Sequence, residues 1–306
     1  MLRNEKGEDD LRMRTYLQNF LNEYPYEEAD KEVYLSAYDK ITQNAEANAK
    51  FFALIDGHER GERVGTEHRS IVEEVAKCVG VPPCTAEMLT VFCLSREAEK
   101  RMLARGVEKE IIHDTFYDFF LKNWETKYMC GVAGTVFWDW HCRFLDGKIY
   151  ALGRLQFEIT EFNADRYEKD GRTVRCGDRV LSIHIPRVNA PFDPLSCSAS
   201  IERARRFFAE KFGFCDLPFV CSSWLLYPLN KQILPPTSNI VQFTDRFDIL
   251  YVIDYPDDKT PVYAFLFGVG GGVALSDLPR YSSLQRAYVE HLQKGGHTGY
   301  GYGIFF

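Results

Sequence analysis

Val180-Leu181-Ser182-Ile183-His184-Ile185-Pro186-Arg187 is the stretch on which the reading of the fold turns. Apolar and polar residues alternate, so Leu181, Ile183 and Ile185 share one face of a strand and leave Ser182 and His184 on the other. Past Pro191 and Pro194 the period lengthens, and Ile201, Ala204 and Phe208 form the inward stripe of a helix over 199–212. A further strand is expected over 219–226, and a helix joining two strands implies that they run parallel.

Upstream, residues 148–162 read as a strand in which Leu155, Phe157 and Ile159 point one way and Arg154, Gln156, Glu158 and Thr160 the other. Asp146-Gly147 is a two-residue hairpin signal, which makes 135–144 the partner strand. Residues 165–178 read as a charged loop. Downstream of Pro235-Pro236 the pattern predicts a helix over 238–247 and strands over 250–255 and 262–267, with the Gly- and Tyr-rich tail 295–303 as an end strap. Three strands, a helix, a strand, a helix and two strands are not the regular alternation of a doubly wound parallel sheet.

Before Gly131 the texture is helical. Pro82-Pro83 opens a helix carrying Met88, Leu89, Phe92, Ala98 and Met102, and Ile112, Phe116, Phe119 and Phe120 repeat at helical spacing on the next one. A long Ala-rich helix is expected over 33–55, with a short one at Ile71, Val75 and Val79. The expected class is therefore α+β, with a helical domain over 1–130 and a mixed, mostly antiparallel sheet flanked by helices over 131–306.

The 306 residues are 45% apolar and 14% aromatic, enough for large cores. The net charge of −7 is uneven: 18 basic against 25 acidic residues up to 130, and 19 against 19 beyond it. Without clustered positive charge, no nucleic-acid partner is expected. No apolar run nears the ~18 residues of a membrane span, and the first fourteen residues are charged, so a cytoplasmic protein is expected. The nine cysteines include no CxxC pair, which argues against a disulfide framework or a metal site and for small buried hydrophobes.

No GxSxG elbow, HExxH, phosphate-binding GxxxxGK or EF-hand loop is present, and residues 268–273 (Gly-Val-Gly-Gly-Gly-Val) read as a plain loop. The polar strand faces are more informative. If the strand of Gln156 and Glu158 pairs antiparallel with that of Ser182 and His184, Glu158 and His184 become neighbours, and a carboxylate beside an imidazole makes a general base. The turn into the helix, with Arg187, Ser196, Ser198, Ala199, Ser200 and Ile201, offers donors and a helix N-terminus to a pyrophosphate; the bland alternative is that the serines are caps. Cys221, Ser222 and Trp224 border a groove wherever the two parallel strands splay, with Cys221 either a buried hydrophobe or a nucleophile.

The segments 153–159, 184–186, 200–204, 221–226 and 238–240, taken in order, resemble two-domain bacterial proteins with an N-acyltransferase helical N-terminal domain and a GNAT-like C-terminal domain. The resemblance implies an acyl-CoA co-substrate, acetyl-CoA or another, with its pyrophosphate at 187–201 and its pantetheine arm between splayed strands. The expected reaction is transfer of an acyl group, with acetyl the expected one, to a small-molecule amine, with Glu158, His184 and Cys221 as the catalytic candidates and Gln156, Ser182, Ser222 and Trp224 along the groove. The family's glycine-rich pyrophosphate loop is absent here, which leaves a non-catalytic ligand-binding or interaction module as the alternative.

Overall fold

The computed structural model describes residues 2–255, 261–269 and 273–306. The chain divides into two compact units, Met1–Ala151 and Leu152–Phe306.

The first unit is built from α1 (Leu2–Glu23), α2 (Glu28–Gln43), α3 (Ala45–Glu59), α4 (Arg69–Val79), α5 (Pro83–Ala104), α6 (Lys109–Cys130) and α7 (Trp138–Leu145), and ends on the short strand β1 (Ile149–Ala151). α5 is buried on every side from Thr85 to Ser95, which makes it the central helix. Its Phe92 ring lies 5.1 Å from that of Phe20, and Phe116 and Phe119 of α6 continue the aromatic core. The long helix expected over 33–55 is two helices. Asn44 ends α2 and caps α3, accepting from the amides of Glu46 and Ala47 at 3.1 and 3.0 Å.

Residues 135–144 are not a strand. Trp138, His141, Cys142 and Leu145 are buried at helical spacing, and this stripe outweighs the alternation of Trp138 and Trp140. Gly147, at φ +64°, closes α7, where the amides of Gly147 and Lys148 return to the carbonyls of Phe144 and Arg143. Both tryptophans pack within the helical unit, Trp138 donating to the Gly65 carbonyl and Trp140 to Asp118. α7 and β1 belong with the helices, β1 through the Ala151 amide bound to Thr115 Oγ1, so the units divide at 151/152 rather than at 130.

The second unit runs β2 (Gln156–Glu161), β3 (Arg166–Lys169), β4 (Arg172–Arg175), β5 (Arg179–His184), α8 (Pro194–Phe212), β6 (Phe219–Ser223), α9 (Leu229–Ile233), α10 (Asn239–Thr244), β7 (Asp248–Tyr255), α11 (Pro261–Phe267), α12 (Ser283–Gln293) and β8 (Thr298–Phe305). Its sheet order is β2-β5-β6-β8-β7, with β5 and β6 the parallel pair. The charged stretch 165–178 is the β3–β4 hairpin, turned by Asp170 and Gly171 at φ +50° and +76°. Residues 262–267 form a helix, because Val262, Tyr263, Leu266 and Phe267 are buried on one helical face. Of the loop at 268–273, residues 270–272 lie outside the described residues.

The tail is an interior strand. β8 lies between β6 and β7, and its glycines at 299, 301 and 303 leave one face bare. A Cβ on Gly301 would come within 2.4 Å of the Leu226 carbonyl, so the turn after β6 rests on this face. Phe157, Phe219 and Phe305 lie on the same face of the sheet, with Phe247 against Phe305 and the Arg205 guanidinium of α8 over Phe219. The opposite face carries Val180, Val220, Tyr302 and Ile304 against Tyr167 and Val174 of the hairpin. Among the described residues no single helix is long and apolar enough to cross a membrane.

Two stability predictions follow from this packing. Gly301→Ala drives a methyl into backbone and should lower the urea-derived unfolding free energy by about 1–3 kcal/mol, the usual cost of overpacking. The second concerns His141, which is fully buried with Nε2 2.8 Å from Thr135 Oγ1; burial, with a lesser push from Lys122, lowers its pKa to about 3. The unfolded chain, with an ordinary histidine value near ~6.5, therefore binds the extra proton, and this contribution is lost as pH falls from about 6.5 towards 3. Urea midpoints measured from pH 7 to 4 should drop more steeply in the wild type than in His141→Gln.

Candidate active site

The parallel pairing of β5 and β6 consists of two register pairs, Leu181 with Phe219 and Ser182 with Val220. Both strands continue past it, β5 to His184 and β6 to Ser223, but β6 now pairs with β8 as far as Ser223 with Gly301. A gap thus opens between the C-terminal ends of β5 and β6, bordered by Ile183 and His184 on one side and Cys221 to Ser223 on the other.

Beside the gap lies a square of polar residues. In the β2–β5 register Gln156 faces His184 and Glu158 faces Ser182. His184 and Glu158 are diagonal neighbours on one face, with His184 Nε2 2.8 Å from Glu158 Oε2. With an ionised Glu158 accepting, Nε2 is the ring nitrogen that donates across this contact. Sequence alternation predicts a solvated polar face, yet Gln156 is 2% exposed, Glu158 7% and Ser182 9%. A buried carboxylate needs its partner, because removing one member of such a pair leaves a desolvated charge.

The donors expected at the start of α8 have other partners. Asp193 is the cap, its carboxylate accepting from the amides of Leu195 and Ser196 at 2.9 Å; these bonds hold its pKa below the usual carboxylate range. Ser196 Oγ donates to the carbonyls of Pro191 and Asp193, and Ser198 Oγ to that of Pro194. Ser200 Oγ accepts from the Leu155 amide, Ala199 is exposed and Ile201 is core. The first turn therefore meets a carboxylate where a pyrophosphate was expected.

Positive charge arrives from elsewhere. Arg246 binds Ser198 Oγ at 2.7 Å and the Pro194 carbonyl at 3.1 Å, while Arg154 binds the Pro186 carbonyl and lies over the Phe192 ring. Both guanidiniums act electrostatically on Cys197 in the first turns of α8. Arg154 Nε is buried without a hydrogen-bond partner, and burial lowers its pKa. Arg187, also near this turn, donates to the Phe265 carbonyl. Arg246 is distant in sequence from the turn it serves, so local spacing could not reveal it.

Cys221 is 1% exposed, and burial pushes its thiol up to about 12. A thiol so hard to ionise makes no nucleophile at neutral pH, so the nucleophilic reading gives way to the structural one. Ser222 is exposed at the gap. Trp224 begins a short 3-10 turn, Trp224–Leu226, rather than extending β6. That turn is fixed by Asn230, which donates to the carbonyls of Trp224 and Leu225 and accepts from Tyr288. Among the described residues no group of three or more His, Cys, Asp or Glu side chains is placed to hold a metal ion. Native protein should protect Cys221 from iodoacetamide until it unfolds, and modification at the unfolded-state rate would contradict the burial.

Comparison with known proteins follows the same division. The family model described as the N-acyltransferase N-terminal domain matches residues 15–147, and the one described as the GNAT-like C-terminal domain matches residues 149–305. Among solved structures, an acyltransferase in complex with decanoyl-CoA is 26% identical over 72% of this chain, with TM-score 0.62; the match spans 65% of that structure's own length. An acyltransferase with decanoyl-CoA and teicoplanin is 23% identical, and a mutant with octanoyl-CoA also 23%. Each of these two covers 94% of this chain and 86% of the other, with TM-scores of 0.72 and 0.73, and they share the fold. No match is found among curated protein sequences.

Proposed function

The chain belongs to the acyltransferase family defined by the N-acyltransferase N-terminal domain and the GNAT-like C-terminal domain, and from that premise we propose an acyl-CoA-dependent N-acyltransferase acting on an amine. The observation that carries the proposal is the gap left where β6 abandons β5, with the Glu158–His184 pair beside it. The gap takes the thioester arm and the pair takes the proton. Octanoyl and decanoyl chains bound in the similar structures favour a medium-chain donor over acetyl.

In this reading the amine nitrogen attacks the thioester carbonyl carbon as His184 Nδ1 accepts the amine proton. Glu158 stabilises the imidazolium and fixes its tautomer. Amides at the free end of β6, from Ser222 to Trp224, stabilise the developing oxyanion. The C–S bond breaks on collapse, the amide remains, and the CoA thiolate leaves to take a proton from the imidazolium or from water. Gln156 and Ser182 hold the pair from the neighbouring register positions. Arg154, Arg187 and Arg246 supply the charge for the donor's phosphates, in place of the serines.

Octanoyl-CoA at about 100 times its Kd should stabilise the protein by about 2.7 kcal/mol, read as a rise in melting temperature. No rise with acetyl-, octanoyl- or decanoyl-CoA turns the reading to a binding module. With an amine acceptor and thiol release as the assay, Glu158→Gln should lower kcat about 10–100-fold and His184→Ala about 100–10,000-fold. Arg246→Ala should raise KM for the acyl-CoA with little change in kcat. Full activity in both pair variants removes them from the mechanism.

A further inference from the structure

A second cavity, of about 490 Å³, lies in the same unit and takes no part in the proposed reaction. It is bounded by Tyr227 after the 3-10 turn, Gln232 of α9, Asp254 of β7, and His291, Lys294 and His297 around the end of α12. In the sheet register Asp254 pairs with Gly299 and Ser223 with Gly301, whereas Ser222, on the face of Ser182 and His184, pairs with Tyr302. Asp254 therefore stands on the face opposite His184, and an occupant of this cavity is not the reacting amine.

The lining carries one carboxylate, Asp254, and one ammonium, Lys294. Asp254 Oδ1 accepts from Tyr227 at 2.6 Å and lies 3.5 Å from His297 Nε2; the tyrosine bond first, and His297 with it, hold this carboxyl below its usual pKa. At neutral pH it is ionised, accepting from a neutral phenol and flanked by His297. Lys294, the cation on the rim, is taken up by Glu290 at 2.7 Å. The C-terminal end of α12, an eleven-residue helix, adds its negative pole. Tyr227, Pro228, Leu229 and Val252 give the cavity an apolar wall.

We propose that this cavity binds a small organic ammonium ion, with its charged nitrogen at Asp254 and its methylenes along Tyr227, Leu229 and Val252. The Tyr227 ring, fixed against Gly299, offers its π face or edge to the alkyl body. Asp254 is more than half exposed, so the ion pair is modest and the apolar wall carries part of the affinity. The site stands independently of acyl transfer.

Saturation-transfer NMR on the full chain, without CoA, tests the site with cadaverine as the probe and pentanediol as its neutral counterpart. Cadaverine should receive saturation and pentanediol should not displace it. Asp254→Asn, which still accepts from Tyr227, should weaken cadaverine binding about threefold to fivefold, the range of an exposed ion pair. Lys294→Ala, at an exposed position, should strengthen it by removing the cation from the cavity's rim. Equal binding of the diol, unchanged binding in Asp254→Asn, or weaker binding in Lys294→Ala would overturn the proposal, whatever the outcome of the acyl-CoA experiments.

Discussion

β6 is shared unequally between two neighbours. It makes two register pairs with β5 and five with β8, and the longer ladder takes the strand with it. Gly301 allows this, because the turn 224–226 settles on the bare face of β8 there at a distance that any side chain would prevent, while Gly299 and Gly303 leave room for Tyr227 and Phe247. The parallel strands consequently part after Ser182 and Val220, and backbone groups at their ends lack each other as partners. The gap lies inside the sheet, between two of its interior strands, and the Glu158–His184 pair stands beside it.

The polar residues along β2 and β5 lie next to this gap. Burying Gln156, Glu158 and Ser182 beside the half-buried His184 on one face of β2 and β5 costs desolvation that valines would not. The 2.8 Å contact between Glu158 and His184 offsets part of that cost and holds the imidazole in a single tautomer. At the start of α8 the opposite economy holds. Asp193 stabilises the helix by capping it, and the positive charge near this turn comes from arginines on other elements, Arg246 among them.

The central part of the fold was legible because its signals are local. Alternation in 180–187, the helical stripe after Pro194 and the register of β2 against β5 each rest on one face being core, and together they place Glu158 beside His184. The family resemblance added the splay. Elsewhere local signals competed. Asp146-Gly147 and Asp170-Gly171 look alike in sequence, yet the first ends a helix and the second turns a hairpin, because only the second lies between segments that can pair. Trp138 to Leu145 and Val262 to Phe267 fit both periods, and packing chose the helix. The tail looked like a strap because its glycines carry no apolar pattern; their role depends on Leu226, Tyr227 and Phe247, distant in sequence. Arg246 was invisible for the same reason.

The central claim is that the thioester arm enters between β5 and β6. A crystal structure with a non-hydrolysable thioether analogue of octanoyl-CoA tests it most directly. The account predicts the thioether sulfur between Ser182–His184 and Val220–Ser222, with its neighbouring carbonyl-equivalent atom towards His184. An analogue bound elsewhere, with the gap filled by the protein's own side chains, would contradict it.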